Sequence, residues 1–88
     1  MSWGFSVMPD AKADLKKLPS SVRTRFTRTL DKMAADPFQG NVKALSGQEW
    51  KNVFRRRIGD YRILFTVNHQ EQMVYILRVL IRSKDTYA

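Results

Sequence analysis

The segment Phe54-Arg55-Arg56-Arg57-Ile58-Gly59-Asp60-Tyr61-Arg62-Ile63 sets four arginines around a Gly-Asp turn. Arginine stays protonated and offers a rigid fork of donors, which suits bidentate contact with phosphate. A second apolar run, Met73 to Ile81, leads into Arg82, and Tyr87 stands next to the last residue. Side chains of these types can neutralise charge that develops on phosphoryl oxygens. On RNA the nucleophile is already present as the 2′-hydroxyl beside the scissile phosphate. A protein then has to orient it, take its proton, stabilise the phosphoryl oxygens and help the 5′-oxygen leave. Tyr87 serves as a base only if surrounding cations lower its pKa from about 10. Arginine is a weak general acid, because its pKa lies above about 12.

Other chemistries have thinner support. The only histidine, His69, stands in a polar turn and reads as an exposed turn residue. The carboxylates are scattered without metal-ligand spacing. There is no cysteine, so disulfides, thiolate catalysis and most zinc schemes are excluded. There is no Gly-rich phosphate loop and no nucleophile elbow. No metal site and no cofactor are expected.

The charge points the same way. Sixteen Lys and Arg against eight Asp and Glu give a net +8 and a pI of about 10.3. So basic a small chain should attract a polyanion or an acidic partner, nucleic acid first. A membrane partner is not expected, since no helix joins a basic face to large exposed apolar anchors. No apolar stretch reads as a signal peptide or a membrane span, and the lack of cysteine fits a reducing cytoplasm. The length of 88 residues, 43% of them apolar, predicts one domain over 1–88.

The elements that must position these side chains follow from periodicity. Trp3 to Val7 alternates as a short strand. Pro9-Asp10 opens a helix whose apolar face is Ala11, Leu15 and Leu18, and Pro19 ends it. Ser20-Ser21 is expected to cap a second helix with the stripe Val22, Phe26, Leu30 and Met33. Arg23, Arg25, Arg28 and Lys32 lie largely off that stripe. Asp36-Pro37 stops the helix, and Phe38 to Glu49 reads as a loop with Val42 and Leu45 turned inward. Strands follow at 50–58, 61–67 and 73–81, with short antiparallel connections. The fold class is α+β: a four-stranded, mainly antiparallel sheet packed against an N-terminal two-helix hairpin.

Strand parity then sorts the faces. Arg55, Arg57, Arg62, Arg78 and Arg82 fall on the face away from the helices. Tyr61, Phe65 and Tyr75 fall on the core side, as do Met73, Leu77, Val79 and Ile81. Arg56 is the misfit on the core side; it either reaches past an edge or marks a bulge. An arginine face with aromatic residues nearby suits single-stranded nucleic acid.

The chain resembles the RelE/ParE superfamily of bacterial toxins, and within it the RelE branch. The resemblance rests on the opening strand, the Leu18-Pro19 break, Asp36-Pro37 and Lys43-Ala44-Leu45-Ser46-Gly47. It rests most on Phe54 to Ile63 and on the ending Arg82-Ser83-Lys84-Asp85-Thr86-Tyr87. Many relatives carry Gly-His-Arg where this chain reads Leu80-Ile81-Arg82-Ser83, so the family arginine falls on Arg82 or on Ser83. The resemblance implies a metal-independent endoribonuclease that cuts mRNA in the ribosomal A site. By position it implies that Arg55 and Arg57 hold RNA and stabilise the transition state. Arg62 would bind the scissile phosphate, Arg82 assist the leaving group, and Tyr87 act as base or stacking partner. Further RNA contacts would come from Lys51, Arg56, Arg78 and Lys84. The implied partners are the ribosome with its mRNA and a cognate antitoxin with an acidic or amphipathic segment. Operator DNA would be met only through the antitoxin complex. Two alternatives stay open: the gyrase inhibition of ParE-type relatives, and a non-catalytic module that binds RNA or its antitoxin.

Overall fold

The computed structural model describes residues 3–40, 42–45 and 51–81. Its elements in chain order are β1 (Gly4–Val7), α1 (Pro9–Lys16), α2 (Ser20–Ala35), β2 (Val42–Ala44), β3 (Phe54–Ile58), β4 (Tyr61–Asn68) and β5 (Met73–Ile81). The strands form one mixed sheet in the order β1-β5-β4-β3-β2. β1 runs parallel to β5, because the chain passes through both helices before it returns, as a parallel pairing requires. The other neighbours are antiparallel.

The α+β class is as expected, with five strands in place of four. The added strand, β2, has only three residues and lies inside the stretch read as a loop. Its residues Val42, Lys43 and Ala44 pair with Arg56, Arg55 and Phe54. A run this short carries too little alternation to register as a strand. β3 begins at Phe54, four residues later than expected, after a turn in which Asn52 takes φ +62°. The expected strand start at Trp50 lies outside the described residues.

Local chemistry explains the helix boundaries. Pro9 occupies the first turn of α1, where its missing N–H costs nothing. Pro19 ends the first helix and stands at the N-cap of the second. The expected serine cap is not made, since no side chain caps α2 and Ser20 is already helical.

α2 lays Phe26, Leu30 and Met33 on the sheet, where they meet Ile58, Ile63, Phe65, Val74, Ile76 and Val79. Ala11 of α1 completes the buried set, and Val7, Leu15, Leu18 and Val42 pack against it from outside. Ile63, Phe65 and Ile76 are fully buried, and burial of each such side chain contributes about 1.5–3 kcal/mol.

β5 departs from simple alternation. Leu64 pairs with Arg78 while Phe65 pairs with Ile76, so Leu77 has no residue opposite it. That extra residue is a bulge, and it inverts the facing of everything before it. Val74 and Ile76 therefore face the core along with Val79. Tyr75, expected in the core, stands opposite Thr66 on the outer face, and its hydroxyl donates to Glu71 Oε1 at 3.2 Å. Tyr61 and Phe65 keep the core side, the latter fully buried.

Candidate nucleic-acid interface

β3 and β4 form a regular hairpin, so parity holds across it. Arg57 lies directly opposite Arg62, and Arg55 opposite Leu64, on the face away from the helices. Residues paired this way hold their Cβ atoms about 4.5–5.5 Å apart, and like charges directly opposite each other destabilise the sheet. Arg55 and Arg62 are half-buried, Arg57 is exposed, and Leu64 between them is buried at 1% exposure. The face is thus a cationic cluster over an apolar floor.

Two features hold the cluster in shape. Gly59 turns the hairpin in two residues with φ +56°, a conformation that glycine adopts without strain. At the opposite end, Thr66 Oγ1 donates to the Asn52 carbonyl at 2.7 Å. That bond ties the turn carrying the exposed Lys51 to the outer side of β4.

No described carboxylate pairs with Arg55 or Arg57. Arg78 differs. Its Nε and Nη2 donate to the two carboxylate oxygens of Asp14 on α1 at 2.8 and 3.0 Å. The Val79 N–H also donates to Asp14, at 2.9 Å. β1 covers the β5 edge only as far as Ile76, so Asp14 satisfies a strand N–H that β1 leaves open. The Arg78 hydrogen bonds hold the Asp14 carboxyl below its usual value; its partial burial opposes this and the Val79 N–H adds to it. Arg78, expected among the nucleic-acid contacts of the outer face, stands at the sheet edge with its exposed guanidinium on Asp14.

Arg56 resolves the expected ambiguity without a bulge in β3. It faces the helix side, reaches past the sheet, and donates to the Gln39 carbonyl. Its guanidinium lies against Gly40, whose φ of +91° carries the chain around it. Among the described residues, Tyr75 is the tyrosine on the outer face. Its bond to Glu71 raises its pKa, which is the wrong direction for a base. Arg82, Lys84 and Tyr87 lie outside the described residues.

His69 is exposed, as expected, and belongs to an aromatic group. It packs edge-on to Trp3 at 5.7 Å and stacks on Phe38 at 6.0 Å. Among the described residues, no three His, Asp or Glu side chains come together as metal ligands would. No described helix is long and apolar enough to cross a membrane.

Strand periodicity alone does not single out the far side of β3. There Arg25, Arg28 and Lys32 of α2 face Arg56 and Arg57 across a cleft. The signal was present as cations at i, i+3 and i+7, on a helix face of their own.

The chain matches the family model for the ParE toxin of the type II toxin–antitoxin system parDE over residues 5–86. No curated protein matches it. It is similar in structure to the toxin–antitoxin complex RelBE2 from Mycobacterium tuberculosis, at 25% identity and a TM-score of 0.84. That match covers 93% of this chain and 100% of the other. The archaeal RelE–RelB complex from Pyrococcus horikoshii OT3 matches at 25% identity and a TM-score of 0.79, over 96% of this chain and 99% of the other. The YoeB/ParE toxin from Agrobacterium tumefaciens shares the fold at 13% identity and a TM-score of 0.76, over 91% and 99% of the two chains.

Proposed function

Since the chain belongs to the ParE toxin family of type II toxin–antitoxin systems, within the RelE/ParE superfamily, we propose that it is a RelE-type toxin that cuts mRNA in the ribosomal A site. The observation that carries this reading is the outer face of the β3–β4 hairpin. There Arg57 opposes Arg62, and Arg55 projects beside them, over buried Leu64. An RNA phosphate set between these guanidinium groups would accept from more than one of them at once.

In the proposed reaction the 2′-oxygen bonds to phosphorus as the bond from phosphorus to the 5′-oxygen breaks. The products are a 2′,3′-cyclic phosphate and a 5′-hydroxyl. Arg62 holds the scissile phosphate, while Arg55 and Arg57 stabilise the charge on its oxygens in the transition state. Tyr87 takes the 2′-hydroxyl proton or stacks on a base, and Arg82 assists the departing oxygen. Lys51 and Lys84 add phosphate contacts. The nucleophile belongs to the substrate, so the scheme is metal-independent. A cognate antitoxin with an acidic or amphipathic segment is the proposed inhibitor, as the similar structures are toxin–antitoxin complexes.

A second reading, inhibition of DNA gyrase, is favoured by one observation: the family model that matches is that of ParE. Primer extension on a defined mRNA, with programmed ribosomes, separates the two. Cuts within A-site codons that need both ribosome and toxin, and that weaken in Arg62→Ala, support the first. Absence of cuts together with loss of gyrase supercoiling supports the second.

A further inference from the structure

We propose a second anion site, on the opposite side of β3 from the outer face, that grips backbone phosphates of RNA outside the segment to be cut. It is a cleft of about 300 Å³ between α2 and β3. Arg25, Arg28 and Lys32 line one wall, Arg56 and Arg57 the other, and Gly59 its end. No carboxylate lines it.

The folded chain gives these cations little reason to be there. Arg25, Arg28 and Lys32 recur at helical spacing, where like charges destabilise a helix by about 0.2–0.5 kcal/mol per pair. None of them forms an ion pair with a described residue. The core stripe of the same helix, Phe26, Leu30 and Met33, packs without their help. One of the guanidinium groups is nonetheless held in place, and a second lies close against the hairpin turn. Arg56 donates to the Gln39 carbonyl. Arg25 lies across the hairpin turn, so close that a Cβ on Gly59 would stand 2.9 Å from its Nη1. The hydroxyl of Thr29 is turned back to the Arg25 carbonyl at 2.9 Å, which leaves the charged groups as the donors into the cleft. Groups fixed in advance lose less entropy when a ligand arrives.

Phosphate fits this chemistry better than an acidic protein segment does. Four of the five cations are arginines, whose forks match phosphate oxygens. A protein partner gains most of its affinity from buried apolar and aromatic anchors. The one large apolar side chain in the lining, Ile58, is already buried at 5% exposure. Arg57 also joins the two regions, since it lines the cleft and stands opposite Arg62 on the outer face. A cationic path therefore runs around the end of β3, and one folded RNA can touch both sides.

The test uses the full chain and a labelled RNA stem-loop carrying 2′-O-methyl groups throughout, which cannot be cut by 2′-oxygen attack. Binding is read by fluorescence anisotropy across a salt series. The triple variant Arg25→Ala/Arg28→Ala/Lys32→Ala is expected to bind at least about tenfold more weakly at low salt. Its log–log salt slope should fall by about two to three, as each phosphate contact contributes roughly 0.9. Circular dichroism and thermal melting check its fold. Should the triple variant fail to fold, Arg28→Ala alone is expected to lower the slope by about one. Unchanged affinity and slope in a folded variant would overturn the proposal. So would a loss confined to a poly-glutamate probe with stem-loop binding intact, which would assign the cleft to an acidic protein. Because the probe cannot be cleaved, the outcome is independent of whether the outer face performs the proposed cleavage.

Discussion

Arg78 and Arg57 stand on neighbouring parts of one sheet and serve opposite ends. Arg78 makes a bidentate pair with Asp14, which also accepts the Val79 N–H, so its charge is satisfied within the fold. Arg57 faces Arg62 across the hairpin and pairs with no described carboxylate. The cations of this strongly basic chain therefore fall into two kinds. Those that close an open sheet edge belong to the architecture. Arg57, without a described carboxylate, is the kind proposed to meet a ligand outside it.

The contrast can be broken first in β5. Inserting one alanine between Val74 and Tyr75 puts two residues between Val74 and Ile76 and turns one of them away from the core, whereas deleting the unpaired Leu77 keeps both inward. Misfacing one of these buried residues should cost about 3 kcal/mol or more, measured by urea denaturation. An insertion variant as stable as wild type would mean that strand parity does not fix these facings.

Activity should separate the two regions next. Arg57→Ala and Arg62→Ala are expected to lower A-site cleavage by about 100- to 1,000-fold, the range for loss of one charge-stabilising donor. Arg78→Ala should leave cleavage within about threefold. Equal losses in all three would show that Arg78 also meets RNA.

Stability should give the reverse ranking. Asp14→Ala is expected to cost about 1–2 kcal/mol, because it removes a partly exposed ion pair and strands a sheet N–H. Arg57→Ala, on an exposed residue, should change stability by no more than about 0.5 kcal/mol. Parallel urea titrations of the two variants check both numbers.

The smallest effect is in pH. The folded Asp14 pKa lies below its ordinary value of 3.8, so its contribution is complete above that value and is lost as pH falls through the folded pKa. The gap between wild type and Asp14→Ala should be constant near neutrality and close progressively below about pH 4. A gap that persists unchanged in strong acid would show that the carboxylate's charge is not what matters.

Much of this was legible in the residues. The helix stripes, the β3–β4 hairpin and the grouping of Arg55, Arg57 and Arg62 follow from regular periods over unbroken pairing. β5 was half legible, because a single unpaired residue inverts parity and leaves no mark in composition. β2 was hidden by its shortness, and its pairing with β3 depends on the partner strand. The Asp14–Arg78 contact spans 64 positions, and only the end of β1 at Val7 creates the open edge that calls for it. The cationic cleft was visible as spacing on α2. Its meaning required knowing that Arg56 crosses to the same side.

The most direct test of the central claim is primer extension on programmed ribosomes with wild type, Arg57→Ala and Arg78→Ala side by side. The account predicts ribosome-dependent cuts within A-site codons for wild type and Arg78→Ala, and a loss of about 100-fold or more for Arg57→Ala. Full-length extension products with every protein, or equal cutting by wild type and a folded Arg57→Ala, would contradict it.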